Sequence, residues 1–176
     1  ESGLIVPLGR WVMLDVVRQV AKWRDKGINL RVAVNVSARQ LADQTIFSDL
    51  KQALKDLNFE YCPVDVELTE SCLIENEELA LSVIQQFSRL GAQIHLDDFG
   101  TGFSNLSWIA SLNPDSIKID RMFINQISPD ASTPLINCVI DMAKQMGIQT
   151  VAEGVEHEYQ VSWLRENDID YFQGYF

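Results

Sequence analysis

Six short β-rich segments recur along the 176 residues, and stretches of helical periodicity separate most of them. The segments are 31–36, 64–68, 92–96, 116–119, 149–152 and 170–172. Runs of this length, rich in Val and Ile between polar turns, suit strands covered on both faces of a parallel sheet. Between them the apolar spacing lengthens to that of a helix. Leu8, Val12, Val16, Val20 and Trp23 stripe an opening helix that Gly27 ends. Phe47, Leu50, Leu54 and Leu57 stripe a second helix, and Leu79, Val83, Phe87 and Leu90 a third, with Gly91 at its C-cap. A short pattern surrounds Leu106 to Ile109, Ile136, Ile140 and Ala143 mark a helix closing at Gly147, and a last helix covers 159–166.

Unbroken alternation of this kind implies βα units joined by right-handed crossovers. Two closures fit: an open doubly wound sheet, or a (β/α)8 barrel, which needs eight strands where six are visible. No Pro/Gly/Ser-rich linker or low-complexity tract interrupts the chain, so it reads as one domain over 1–176. A formal charge of −11 at pH 7 argues against a DNA or RNA polymer as partner, because a phosphate-backbone binder presents a basic patch. It leaves open a small phosphorylated ligand bridged by divalent cations. Cys62, Cys72 and Cys138 form no Cys-x-x-Cys pair and sit in or beside apolar runs, which reads as reduced, buried thiols in a cytoplasmic compartment. No signal peptide opens the chain, and its apolar stretches are shorter than a bilayer span.

The functional signal is where the polar residues fall. At or just beyond the C-terminal end of each segment stands a group able to bind metal or move protons: Asn35, Glu67, the pair Asp97 and Asp98, Lys118 with Asp120, Glu153, and Gln173. Parallel strands would aim all of them at one edge, where α/β folds place their sites. Singly, an Asp after a strand is more often a helix cap, and a strand Lys a solvated edge residue. Asn35 inside Val-Ala-Val-Asn-Val and Lys118 between Ile117 and Ile119 are harder to dismiss, since polar burial demands a partner. The cluster is the signal.

Crowded carboxylates repel one another unless cations intervene. The donors are hard oxygens without Cys or His, which favours Mg²⁺ or Mn²⁺ over zinc or copper. Adjacent Asp97 and Asp98 could serve two neighbouring ions, and Lys118 could orient a nucleophilic water or stabilise developing charge. Metal-assisted phosphodiester hydrolysis follows as a reaction class. Asp97-Asp98-Phe99-Gly100-Thr101-Gly102 supplies a Gly-rich loop directly after these ligands. It is neither a Gly-x-Gly-x-x-Gly cradle nor a P-loop, and without its companion motifs Asp-Phe-Gly is no kinase signature. His95 reads as structural and His157 as exposed; neither is assigned a role.

At these residues the chain resembles the EAL-domain family of cyclic-di-GMP phosphodiesterases. The resemblance runs the whole length and rests on Asn35-Val-Ser-Ala-Arg-Gln-Leu41, Glu67-Leu-Thr-Glu70, Asp97 to Gly102, Ile117-Lys-Ile-Asp120, Ala152-Glu-Gly-Val-Glu156 and Gln173-Gly174-Tyr175, in order. It implies a (β/α)8 TIM-like barrel in which one early strand runs antiparallel, two Mg²⁺ or Mn²⁺ ions, and opening of cyclic-di-GMP to linear pGpG. Asn35, Glu67 and Asp97 match first-metal ligands, with Asp97 placed to bridge. Asp98 and Glu153 match residues at the second metal and its water, and Lys118 the lysine that holds that water. Asp120 matches a supporting carboxylate, Gln173 a glutamine at the substrate rim, and Glu70 with Glu156 a pair that steadies the loop of Gly100, Thr101 and Gly102. That loop lies near the family's dimer contact, which implies a homodimer. Accompanying sensory or GGDEF-type domains are also implied, with a membrane anchor elsewhere in the full-length protein compatible with a cytoplasmic domain.

The Glu-Ala-Leu segment that names the family is not in these 176 residues. The first two strands and one metal ligand are therefore expected to be absent, the C-terminus to be slightly short, and the chain as written to be a weak or inactive catalyst. Phe103, Asn105 and Asn113-Pro114 depart from the usual family residues without touching the metal set. The alternative is a degenerate EAL domain acting as a cyclic-di-GMP receptor or interaction module, which would have lost metal ligands. An unrelated metal-dependent barrel hydrolase is a third reading, opposed by six ordered motifs.

Overall fold

The computed structural model describes residues 3–70, 72, 77–100, 106–128 and 133–176, excluding the side chains of Gln44, Glu77, Leu106, Ser107 and Trp108. Thr101, Gly102, Phe103 and Asn105 lie outside the described residues. The chain forms two compact units, Glu1–Ile94 and His95–Phe176.

The first unit runs α1 (Ile5–Arg24), β1 (Val32–Asn35), α2 (Ala38–Leu41), α3 (Gln44–Asp56), β2 (Val64–Thr69) and α4 (Glu77–Arg89). β1 and β2 pair in parallel, with Val32 opposite Val64 and Asn35 opposite Glu67. The buried face of α1 is Gly9, Met13, Val17, Val20 and Ala21; of the expected stripe Val20 is buried, Val12, Val16 and Trp23 are half-buried, and Leu8 is 54% exposed. The reason is tertiary. α1 packs on α2, α3, β1 and β2, and the Gln40 side-chain amide sits against Gly9 where no Cβ would fit. The helix partners thus choose the face, overriding the larger apolar residues beside it. α3 buries Ile46, Leu50 and Leu54, and α4 buries Ala80, Val83, Ile84 and Phe87. Phe47 meets Phe87 edge-on at 6.1 Å.

A charged clasp ties the N-terminal ends of β1 and β2. Buried Asp65 accepts from Arg31 Nε at 2.9 Å and from the Gln93 backbone N–H at 2.7 Å. The Arg31 guanidinium also donates to the Asp65 carboxylate through a terminal nitrogen and to the Gly91 carbonyl at 2.9 Å. Such a two-pronged, fully hydrogen-bonded pair is the form in which a buried carboxylate is tolerated.

The second unit comprises β3 (Ile94–Phe99, whose first residue closes the first unit), α5 (Leu106–Leu112), β4 (Ser116–Ile119), α6 (Arg121–Ile124), α7 (Pro134–Met146), β5 (Gln149–Val155), α8 (Glu158–Glu166) and β6 (Tyr171–Gly174). β3, β4, β5 and β6 pair successively in parallel. Ile119, Ile124, Ile127, Ile136, Ile140, Ala152, Val155, Val161 and Leu164 form one buried cluster. The Ile136, Ile140 and Ala143 stripe of α7 is buried as its spacing predicts, and the helix stops at left-handed Gly147. Buried Gln160 accepts the backbone N–H groups of Glu156 and His157 at 2.8 and 3.0 Å and donates to the Ile124 carbonyl at 3.1 Å. One side chain thereby closes the β5–α8 turn onto α6.

Two expectations need correction. β2 and β4 are largely buried on both faces, but β1 exposes Ala33 and Asn35, and all four residues of β6 are exposed. Among the described elements β6 has its extensive contacts with β5 alone. The thiols also differ. Cys62 is buried, and burial pushes it up to about 11, whereas Cys72 is half-buried and Cys138 exposed. Cys138 lies across α7 from the Ile136–Ile140 stripe, which the 100° helical step explains. Finally, two single-turn helices, α2 and α6, are too short to carry a sequence period. Among the described residues no helix is long and apolar enough to cross a membrane.

The clasp generates a prediction. Asp65→Ala leaves Arg31 and the Gln93 N–H without their acceptor. It is expected to lower unfolding free energy by about 3 kcal/mol in urea denaturation, as loss of one partner of a buried pair does. A change below about 0.5 kcal/mol would remove the clasp from the stability account.

Candidate functional site

A regular strand sends neighbouring side chains to opposite faces, so Asp97 and Asp98 could not both point to one site from an unbroken β3. The strand is broken there. Leu96 lies opposite Ile117 and Phe99 opposite Ile119, so Asp97 and Asp98 together face the single residue Lys118. This is a β-bulge, and Asp98 takes the left-handed conformation at φ 54°. Asn and Asp tolerate that region better than other side chains bearing a Cβ. Gly100 follows at φ 93°, and a Cβ there would lie 2.6 Å from the Phe123 ring, so the turn out of β3 requires glycine.

β5 is interrupted in the same way. Glu153 lies opposite Gln173 and Val155 opposite Gly174, leaving Gly154 as the extra residue at φ 71°. A Cβ on Gly154 would stand 2.5 Å from Arg121 Cβ. Gly154 stands in the Ala152-Glu-Gly-Val-Glu156 motif, and its structural role was not foreseen from the sequence. The available signal was an isolated Gly within a strand-like run, which marks a bulge or a close backbone approach.

Between these bulges, on the central β4, stands Lys118, which is 9% exposed. Its ammonium reaches Asp97 Oδ1 at 2.8 Å and Glu153 Oε1 at 2.7 Å. Asp97 Oδ1 also accepts the Asp98 backbone N–H at 3.2 Å, and Glu153 Oε1 also accepts Gln173 Nε2 at 2.7 Å. Carboxylate oxygens of Asp97, Asp98 and Glu153 lie within 4.8 Å of one another. Asp120 follows β4 and caps α6, one oxygen accepting the Met122 N–H at 2.7 Å. The second unit therefore brings together Asp97, Asp98, Lys118, Glu153 and Gln173, while Asp120 divides its carboxylate between a cap and the field it exerts on Asp98.

In the first unit the paired residues Asn35 and Glu67 meet, Asn35 Nδ2 donating to Glu67 Oε2 at 3.2 Å. Asn35 has the expected partner but is exposed, so burial is not what demands it. Glu70 is buried at the end of β2. Glu156 is exposed, and its backbone N–H is held by Gln160. His95 is structural as expected, its Nδ1 2.7 Å from Ser116 Oγ, and exposed His157 stacks on Tyr159 at 5.1 Å.

The carboxylates feel one another. Burial pushes Asp98 above the ordinary carboxylate value, and neighbouring Asp97 and Asp120 push it further against the pull of Lys118. Burial likewise raises Glu153, and the hydrogen bond and charge of Lys118 offset this only in part against Asp97 and Asp98. The cluster thus retains affinity for positive charge beyond what one ammonium supplies. All its donors are hard oxygens, so the set fits Mg²⁺- or Mn²⁺-type ions.

Two outcomes follow. Glu153 binds its proton more tightly folded than unfolded, so its contribution to the stability of the metal-free chain is greatest at low pH and is lost as pH rises above 4.5 through its raised value. In thermal melts without divalent ions, wild type should lose more stability than Glu153→Gln on going from about pH 4 to about pH 7.5; equal losses would contradict the shift. Gly154→Ala should destabilise by about 2 kcal/mol through left-handed strain and the Arg121 contact, read by chemical denaturation.

The EAL domain family matches residues 1–176. The chain is 65% identical over 176 residues to a protein named cyclic di-GMP phosphodiesterase PdeR, from Escherichia coli, covering 99% of this chain and 27% of that one. It spans about a quarter of the length of the curated relatives it matches, from 21% to 27%. Among solved structures, a PaMucR phosphodiesterase in complex with c-di-GMP is 33% identical with a TM-score of 0.88, covering 99% of this chain and 76% of that one. The EAL domain of Mycobacterium smegmatis DcpA is 32% identical with a TM-score of 0.86, covering 96% and 77%. The likeness gives the chain an incomplete (β/α)8 TIM-like fold, of which the described residues supply six strands. With that fold, and a family match over its whole length, the chain belongs to the EAL domain family.

Proposed function

We propose that this chain is the phosphodiesterase domain of a cyclic-di-GMP-degrading enzyme, opening one phosphodiester linkage to give linear pGpG. The observation that carries the reading is the Lys118 ammonium held between Asp97 and Glu153 beside Asp98. The name of the 65%-identical relative and the c-di-GMP complex of a 33%-identical structure support the substrate. Every motif position among Asn35, Glu67, Asp97, Asp98, Lys118 and Glu153 is filled, which disfavours the receptor alternative.

Asp97, Asp98 and Glu153 would hold two Mg²⁺ or Mn²⁺ ions, with Asn35 and Glu67 as further ligands by their motifs and Asp120 in support. Such ions, when bound, neutralise phosphodiester charge and acidify water. Lys118 contributes a fixed positive charge on β4, where it can orient the attacking water and stabilise charge developing on the phosphate. Glu153 and Asp98 are proposed to hold the attacking water beside the second ion. The loop of Gly100, Thr101 and Gly102 is proposed to be steadied by Glu70 and Glu156, and the domain to act as a cytoplasmic homodimer beside further sensory or GGDEF-type domains.

The test is pGpG formation by the intact polypeptide with Mg²⁺ or Mn²⁺, followed chromatographically. A chelator and Glu67→Ala should each abolish turnover, while circular dichroism of the variant stays native. Lys118→Ala should lower kcat about 10²- to 10³-fold, the usual effect of removing one electrostatic stabiliser. Full activity in the chelator, or in Glu67→Ala, overturns the proposal.

A further inference from the structure

Gln173 was expected at the rim of the site as a substrate contact, and its side chain lies against a carboxylate of that site. On β6 it lies opposite Glu153 in register, and its Nε2 donates to Glu153 Oε1 at 2.7 Å. The same oxygen accepts from Lys118 Nζ at 2.7 Å. Two N–H donors from two strands, β4 and β6, thus converge on one oxygen of a carboxylate on the strand between them. Among the described residues the other oxygen, Oε2, accepts no hydrogen bond. The pattern recurs on Asp97, where Oδ1 takes both Lys118 Nζ and the Asp98 N–H.

A carboxylate held by one donor can rotate about its terminal torsion and exchange its two oxygens. Two donors on one oxygen fix the group and leave the other oxygen for a cation. Hydrogen bonding from a neighbouring group is the usual means by which a ligand is oriented and tuned. Gln173 is exposed on an exposed strand, so packing does not hold its side chain, and Glu153 is its partner.

We infer that Gln173 is a positioning residue acting through Glu153: with Lys118 it saturates Oε1 and presents Oε2 to a divalent ion. The inference rests on the proposed metal site. It makes Gln173 a determinant of ion affinity rather than of nucleotide recognition.

The experiment is calorimetric titration of Mn²⁺ into the intact polypeptide without nucleotide, for wild type, Gln173→Met and Gln173→Ala. Steady-state kinetics on cyclic-di-GMP at saturating Mn²⁺ accompany it. Both variants should bind Mn²⁺ about ten- to a hundred-fold more weakly, the usual cost of removing a residue that orients a ligand. KM at saturating Mn²⁺ should stay within about twofold of wild type, because only uniform substrate binding would move it alone. Unchanged Mn²⁺ affinity with a raised KM makes Gln173 a substrate contact and overturns the inference. Recovery by Met but not Ala assigns the effect to side-chain bulk and overturns it equally. Failure of wild type itself to bind Mn²⁺ defeats the metal-site reading instead, a result distinguishable from either.

Discussion

The site depends on one ammonium group. Lys118 lies on the central strand β4 between Ile117 and Ile119, where an unpaired cation would be prohibitively costly. Asp97 on one neighbouring strand and Glu153 on the other supply the countercharges. The dependence is mutual. Without Lys118, three carboxylates with oxygens within 4.8 Å of one another would lose the cation that Asp97 and Glu153 share. Even with it, Asp98 and Glu153 stay above ordinary carboxylate values, because burial and neighbouring acids outweigh a single positive charge. A group of acids with hard-oxygen donors this close together could hold a metal ion.

Geometry delivers these groups to Lys118 through two departures from regular strand structure. The bulge at Asp97 and Asp98 puts two acids opposite one lysine, and the bulge at Gly154 resets β5 directly after Glu153. Both use a left-handed residue, an aspartate in one case and a glycine in the other. Within β3 and β5 these left-handed residues stand beside the polar groups, while β4 and β5 otherwise keep regular pairing.

The opposite ends of the strands are organised for stability. Asp65 clasps Arg31 and the Gln93 N–H in the first unit, and Asp170 accepts the Thr150 N–H and hydroxyl at 2.8 and 3.0 Å in the second. These carboxylates are satisfied by donors of the chain itself. Asp65 is buried and tied by Arg31 and the Gln93 N–H, whereas Asp98 is half-buried and raised by burial and by Asp97 and Asp120.

Much of this was legible in the sequence. Strand–helix alternation gave the fold class, the α7 stripe gave its buried face, and the recurrence of polar residues at strand ends gave the site. Those signals are local: the period of apolar residues follows from backbone geometry, and a strand end is marked by the turn after it. What the sequence could not give depended on partners distant along the chain. The face of α1 was decided by Gln40 lying against Gly9, and the exposure of β6 by what packs beside it. Asp97 and Asp98, adjacent in sequence, should have pointed apart by strand alternation; only the pairing of β3 with β4 turned both toward Lys118. Gln173 read as a rim residue, and the register of β6 against β5 adds that its amide lies on Glu153. The sequence by itself determined which residue types lie at the ends of the strands. Tertiary structure decided which oxygen of which carboxylate each donor holds, because register and bulges are set by cross-strand pairing that no single segment encodes.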